Sequence, residues 1–350
     1  MTICFFGNYI HDYPRMNVFR LGLAKNNVKV IECHTRKTGL AKYISLYKQH
    51  KAVKKDYDFL LVGMGAYTLT WFAKLISKKP VIFDAFVSVY ITNVHDRQLA
   101  GPKSLKAKYF KFLDKLGCRF ADRVLLDTQT QIDFFINNYK LARSKFIRVL
   151  VGSDDSIFFP NPKVNSDKEK FIVHWHGHIV PFHGVGIILK AAELLKDNKS
   201  IEFQIVTRFN SKYRKLRDQA EKLKLDNLKF HPETDYKGIA KFINQSDIVL
   251  GVFNDNLKSQ VVVPNKIVEA AACKKPVITI KTKAGLEVFS EQSIEFIKPN
   301  DAEALAEAIA KLYKNESSRQ DLANNAYQIF QSQLTPKVIV KNFIESLKSV

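Results

Sequence analysis

The chain has 350 residues, 46% of them hydrophobic and 25% charged, which is too long for one typical domain and too apolar for a disordered chain. Its net charge is +21, and the excess is uneven: residues 1–163 hold 27 Lys and Arg against 12 Asp and Glu, the rest 28 against 22. A basic half of this kind points to an anionic surface or ligand, with membrane lipid, a phosphorylated acceptor and nucleic acid as the candidate classes. No run of 18 apolar residues is present, which excludes a helix crossing a membrane. Cys4, Cys33, Cys118 and Cys273 stand singly without a CxxC pair, so free thiols in a reducing compartment are expected. The opening MTICFFG lacks a basic segment before its apolar run, so no signal peptide is read and a cytoplasmic location is expected.

In chain order, TICFFG reads as a buried strand ending at Gly7, a helix follows from about Met16 to Lys25, and VKVIECH is a second strand. DFLLVGM, PVIFDAF, DRVLLDT and FIRVLVG continue the strands. Continuous apolar runs alternating with helices indicate a parallel sheet covered on both faces. The stretch from Asp154 to Lys170, with Pro160, Asn161, Pro162 and Asn165, breaks this rhythm and reads as a linker. The rhythm then resumes: FIVHWHG, the helix VGIILKAAELLK, IEFQIVT, the helix KYRKLRDQAEKL, LKFHP, the helix YKGIAKFIN, DIVLGVF, the helix NKIVEAAAC and PVITIK. Helices from Ala302 to Tyr313 and from Ser318 to Gln331 follow, and a last one from Pro336 to Ser349 is placed back over the first domain. The expectation is α/β: two doubly wound, Rossmann-like domains facing across a cleft, at 1–160 and 161–335, with 336–350 returning to the first. Ligands of such sheets bind at the carboxyl ends of the strands.

Two segments carry chemistry. In GHIVPFHGVG, Gly177 to Gly186, glycines allow close backbone approach, and a helix starting near Gly184 would aim amide donors and a positive dipole end at an anion. In VVVPNKIVEAAACKKPVIT, Val261 to Thr279, Pro264 ends an extended stretch and Asn265 is a candidate cap for the next helix. Lys266 lies in that helix's first turn, where the dipole disfavours a cation unless an anion is bound. Glu269, one turn on, can accept from both hydroxyls of a ribose. His174, His176 and His178 alternate in HWHGH, which resembles a metal face, but Gly177 ends the strand before His178 and no fourth ligand is evident, so no metal is expected.

PNKIVEAAACKKPVIT resembles the pattern P-x-K-x-x-E-A-x-A-x-G-x-P-V-I of glycosyltransferase family 4, and GHIVPFHG resembles that family's G-R-x-x-x-x-K-G loop. The opening PRMNVFRLGLAKNNVKVIECH is similar to members that build bacterial surface glycans. The resemblance implies a GT-B fold, a nucleotide-sugar donor, retention of anomeric configuration, and no obligatory metal or other cofactor. By position, Glu269 would bind ribose, Lys266 and the amides near Pro264 and Asn265 would face phosphate, and Gly184 would lie under the diphosphate. The chain departs from the pattern at Val261, where many members carry a glutamate. It departs again at His178 and His183, which replace an arginine and a lysine. Arg208 and Lys258 are the nearest candidates to restore fixed positive charge.

On the acceptor side, Asp84 at the end of PVIFDAF and His95 in YITNVHDR are the catalytic candidates. Lys103 to Phe120 forms a basic helix with an apolar stripe of Leu105, Tyr109, Phe112, Leu113, Leu116 and Phe120, and Gly39 to Lys55 is a shorter version. Such a stripe either packs on the sheet or lies on an anionic membrane. The function expected is a glycosyltransferase using a nucleotide sugar and a glycan or lipid-linked acceptor, peripheral on a membrane. The alternatives are a nucleic-acid binder, for which no binding module is present and no nucleic-acid partner is expected, and a GT-B isomerase of the nucleotide sugar, which would need a carboxylate where Val261 stands.

Overall fold

The computed structural model describes residues 1–162 and 169–348. Residues 163–168 of the expected linker and the last residue of the expected final helix lie outside them. The elements in order are β1 Thr2–Gly7, α1 Pro14–Lys25, β2 Lys29–His34, α2 Gly39–Val53, β3 Phe59–Val62, α3 Thr70–Ile76, β4 Val81–Phe86, α4 Leu105–Phe120, β5 Arg123–Leu126, α5 Gln129–Tyr139 and β6 Phe146–Arg148. They continue as β7 Phe171–His176, α6 Val185–Leu194, β8 Ile201–Thr207, α7 Ser211–Lys222, β9 Leu228–Pro232, α8 Tyr236–Gln245, β10 Ile248–Leu250, α9 Leu257–Val261, α10 Asn265–Ala272, β11 Val277–Ile280, α11 Lys283–Leu286, β12 Glu295–Ile297, α12 Ala302–Lys314, α13 Glu316–Ile329 and α14 Pro336–Leu347. The chain divides into two compact units, Met1–Asp154 with Thr335–Val350, and Asp155–Leu334.

The first unit holds a six-stranded sheet in the order β2-β1-β3-β4-β5-β6, with every pairing parallel. Alternate strand residues feed two cores. Ile3, Phe5, Leu61, Ile82 and Leu125 meet α1 and α14 on one face. Cys4, Phe6, Leu60, Val62, Phe83 and Val124 meet Leu46 of α2, Ala73 of α3, Cys118 of α4 and Phe135 of α5 on the other. The closing helix sits tightly on α1: Phe19 and Phe343 pack edge to face with centroids 5.4 Å apart, and a side chain at Gly22 would collide with the Pro336 carbonyl and Val340.

The apolar stripe expected on α4 does not pack on this sheet as a whole. The helix buries Ala107, Asp114, Gly117 and Cys118, while Leu105 is 82% exposed and Tyr109 and Phe112 stand out beside it. The same holds on α2, where Leu40, Ile44 and Tyr47 are exposed, and on α3, where Trp71 and Leu75 are exposed. Among the described residues no helix is long and apolar enough to cross a membrane.

The second unit repeats the plan with the order β12-β11-β10-β7-β8-β9, again all parallel. Chain progression runs one way from β7 to β9 and the other way from β10 to β12. The reversal between β7 and β10 is therefore the switch point, the place where open α/β sheets bind their ligands.

Candidate functional site at the β7–β10 switch point

β7 stops at His176 because Gly177 takes φ +136°, a conformation side chains rarely adopt. The Thr207 hydroxyl holds this bend by donating to the Gly177 carbonyl at 2.8 Å. A single turn over Pro181–His183 then leads to Gly184, with φ +65°. Only glycine fits there, since a Cβ would stand 2.8 Å from the Asn254 amide nitrogen in the loop after β10. That loop is tied to the turn twice more, by Phe253 N donating to the His183 carbonyl at 3.2 Å and Asn254 Nδ2 donating to the Pro181 carbonyl at 2.9 Å.

Both helices that begin here start without a side-chain cap: α6 after Gly184 and α10 after Pro264. Asn265 was expected to cap α10. It is instead the first helical residue, and Pro264, whose locked φ suits an extended entry, takes the cap position without any side-chain acceptor to offer. First-turn amides left without a cap are donors seeking an anion.

Lys266 enters the same place. Its side chain is buried, its Nζ lies 4.2 Å from the centroid of the Trp175 ring, and that Nζ has no hydrogen-bond partner. A Cβ on Gly177 would come within 3.3 Å of Nζ and 3.5 Å of His183 Cε1. Loss of hydration lowers its pKa from 10.5 to about 7, against a smaller upward pull from Glu269. A buried ammonium without a partner is costly, and an arriving anion removes the cost.

The histidines differ from what their positions suggested. His183 stands where the family pattern has a lysine. It is buried, its Nδ1 lies 2.6 Å from the His178 carbonyl oxygen and so donates to it, and burial followed by the charge of Lys266 holds its pKa well below the usual value. It is therefore neutral, with a lone pair on Nε2. His178 and Arg208 lie on the exposed rim and share Glu233, His178 Nε2 at 2.9 Å and Arg208 Nε at 2.7 Å. Neither stands beside Lys266 as an unpaired cation. Lys258 covers the Phe182 ring at 4.7 Å, close enough for its charge to depress His183. Val261 is buried, so no carboxylate occupies that position.

Glu269 is buried one turn beyond Lys266, with Oε2 2.9 Å from His176 Nε2, and His176 Nδ1 lies 3.1 Å from His174 Nε2. The alternation HWHGH was legible as one strand face, but not its purpose: two of its histidines line up behind Glu269, and Trp175 between them carries Lys266. Gly177, His183, Gly184, Lys258, Pro264, Asn265, Lys266 and Glu269 thus gather at the end of β7.

Asp84 and His95 belong to the other unit. Asp84 was expected to reach an acceptor. It is 1% exposed, and both its oxygens accept from Arg15 Nε, at 2.9 and 2.8 Å. Arg15 also donates to the Val149 carbonyl and lies over the Phe86 ring at 4.6 Å. This is a core ion pair, without a free lone pair aimed outward to take an acceptor's proton. His95 is half-buried on a π-helical turn, Ile91–Asp96, against Tyr90 with centroids 5.1 Å apart. Burial and then Lys111 lower its pKa.

A switch-point site with two uncapped helix starts and an unpaired ammonium has the chemistry to hold an anion, and the similarities of the chain agree in kind. Residues 158–329 match the model of the family described as glycosyl transferases group 1. That match spans nearly all of the C-terminal unit, Asp155–Leu334. Over the whole length, the chain is similar to the structure of HepE from Anabaena in complex with UDP-glucose, at TM-score 0.78 and 17% identity with 100% of both chains covered. It is similar to sucrose-phosphate synthase from Thermosynechococcus elongatus at TM-score 0.78 and 13% identity, covering 99% of this chain and 98% of that one. It is likewise similar to a glycosyltransferase from Rickettsia africae at TM-score 0.72 and 15% identity, covering 99% and 98%. Among curated proteins nothing matches the chain. The fold is GT-B, and the chain is an enzyme of the glycosyltransferase class.

Proposed function

We propose that this glycosyltransferase moves a sugar, with retention of configuration, from a nucleotide-diphosphate donor to a glycan or lipid-linked acceptor at an anionic membrane surface. The observation that carries the donor assignment is Lys266, a buried ammonium without a partner where two uncapped helix starts meet. Breaking the anomeric C–O bond builds negative charge on the departing diphosphate, and fixed donors aimed at that charge supply the largest catalytic contribution. Lys266, the amides of Asn265 and the first turn of α6 bind the diphosphate, Gly184 lets it approach, and Glu269 accepts from the ribose. Complexes of HepE with UDP-glucose, and with UDP and glucose, support such a donor. Retention is proposed on the family resemblance. The donor role is given to the C-terminal domain, 161–335, and the acceptor role to 1–160, where His95 is the remaining candidate and 336–350 a supporting helix.

Thermal unfolding with UDP-, GDP- and ADP-sugars tests the donor reading. A donor at 100 times its Kd should stabilise by about 2.7 kcal/mol, and Glu269→Ala should remove most of that shift. An undiminished shift in the variant would discard the ribose assignment.

The membrane is supported by the outward faces of α2, α3 and α4. Leu40, Ile44 and Tyr47, Trp71 and Leu75, and Leu105, Tyr109 and Phe112 follow helical spacing and are exposed. Lysines surround them, and the one acidic residue in the three helices, Asp114, is fully buried. Anionic headgroups attract such a rim by about 1 kcal/mol per Lys or Arg near the surface, while the apolar arcs enter the acyl boundary. Flotation with vesicles of neutral and of anionic lipid should recover the protein only with the latter, and the triple change L105S, Y109S and F112S should reduce recovery. Capture by DNA instead, with no vesicle binding, would favour the nucleic-acid alternative.

A further inference from the structure

The histidine pair behind Glu269, from the HWHGH strand, has no part in the scheme above. His176 Nε2 reaches Glu269 Oε2 at 2.9 Å, with both side chains under a tenth exposed. Its Nδ1 meets His174 Nε2 at 3.1 Å, and the two rings stack with centroids 5.2 Å apart. His174 is fixed from its other side by Phe242, stacked at 5.9 Å, and its Nδ1 has no partner.

Only one proton arrangement suits an ionised Glu269. His176 must donate from Nε2. If His176 is neutral, Nδ1 accepts from His174 Nε2–H, and the atom left over is a bare lone pair on His174. If His176 were protonated, the atom left over would be a buried N–H donor, which folded proteins avoid more strictly. Burial keeps His174 neutral, as either arrangement requires, and the bare lone pair is the less costly remainder. The pair is a directed chain of donors ending on one oxygen of Glu269.

What this chain prevents is visible on α10. Lys266 and Glu269 are three residues apart on one helix, a spacing at which opposite charges pair. Both are buried, and Glu269 draws on the Lys266 charge, yet Lys266 Nζ has no hydrogen-bond partner. One oxygen of Glu269 is held by His176 instead.

We propose that His176, backed by His174, is a positioning residue that keeps Glu269 from collapsing onto Lys266, so that the carboxylate stays available to ribose and the ammonium to diphosphate. This rests on the reading of Glu269 as the ribose ligand. Without His176 the two groups neutralise each other inside the protein, and both contacts to the nucleotide weaken together. A hydrogen bond to a charged group is of the size that changes affinity about tenfold or somewhat more.

The test is calorimetric titration of UDP, GDP and ADP, and of their 2′,3′-dideoxy analogues, into the parent, H176F, H176N and H176Q. H176F keeps the ring volume without the donor. H176N is too short to reach Glu269 and serves if H176F fails to fold. H176Q keeps a donor and an acceptor. The parent should prefer the ribose form of its best nucleotide about tenfold, H176F or H176N should bind that form about tenfold more weakly and lose the preference, and H176Q should keep much of it. Ribose preference that persists in H176F and H176N overturns the proposal while leaving Glu269 as the ribose ligand. Equal weakening of ribose and dideoxy forms, with the preference intact, overturns it as well by showing general damage. Equal binding of the two forms by the parent overturns the ribose reading itself and the proposal with it.

Discussion

Replacing Lys266 with methionine should stabilise the ligand-free protein and abolish its grip on a diphosphate. Methionine fills a similar volume without charge. The magnitude follows from the fall in pKa from 10.5 to about 7 on burial. Between those values the unfolded chain binds a proton that the folded one resists, so stability rises with pH through that window. At pH 7 the charge costs the folded state about 4 kcal/mol, and at pH 9 about 2 kcal/mol, since each pKa unit is worth about 1.4 kcal/mol. Urea unfolding of parent and K266M at both pH values should show the variant more stable, with a gap that narrows by about 2 kcal/mol from pH 7 to pH 9. In the parent, a bound diphosphate re-protonates the lysine, so affinity for UDP should fall by up to about tenfold per pH unit above pH 7, and K266M should lose both the affinity and its slope. A variant less stable than the parent, or a gap that does not move with pH, would mean that Lys266 is not a desolvated, unpaired ammonium, and the diphosphate cradle would lose its centre.

The remaining predictions concern other parts of the molecule. Gly184→Ala forces a side chain onto a backbone at φ +65° and toward the Asn254 amide, so it should cost about 1–3 kcal/mol in thermal unfolding and weaken nucleotide binding. Asp84→Ala leaves Arg15 charged and unpaired in the first core, a loss of about 3–5 kcal/mol by urea unfolding; near-parental stability would show the pair to be dispensable. Asp114 is pushed up from 3.8 to about 6 by burial, so its contribution is full below pH 3.8 and lost as pH rises through 6. The stability of Asp114→Asn relative to the parent should therefore improve by about 2 kcal/mol between pH 4 and pH 7, and a flat difference would contradict the buried carboxyl.

Some of this was legible early because it depends on local periodicity. Runs such as TICFFG and IEFQIVT can satisfy their burial only inside a covered parallel sheet, and each became a strand at the expected place. Elements without such runs were missed. β12 is three residues, EFI, only partly buried, and α5 opens on glutamines, with its start fixed by the Thr128 hydroxyl accepting from Gln131 N. On α4 the stripe of Leu105, Tyr109 and Phe112 was visible, but its direction was not, because a helix's buried side is chosen by what lies beneath it. Small residues, Ala107, Gly117 and Cys118, let that helix approach the sheet and turned the larger ones outward.

By itself the sequence determined the doubly wound plan, a helix over NKIVEAAAC, and the presence of Lys266 and Glu269 one turn apart, all matters of spacing along one chain. Only tertiary structure decided their protonation and their partners. Burial over Trp175 leaves Lys266 without water or an acceptor, His176 claims an oxygen of Glu269 from a strand 93 residues away, and Arg15 claims Asp84 across 69. Hydration and hydrogen bonding depend on what packs around a group in space, and residue order does not encode that locally.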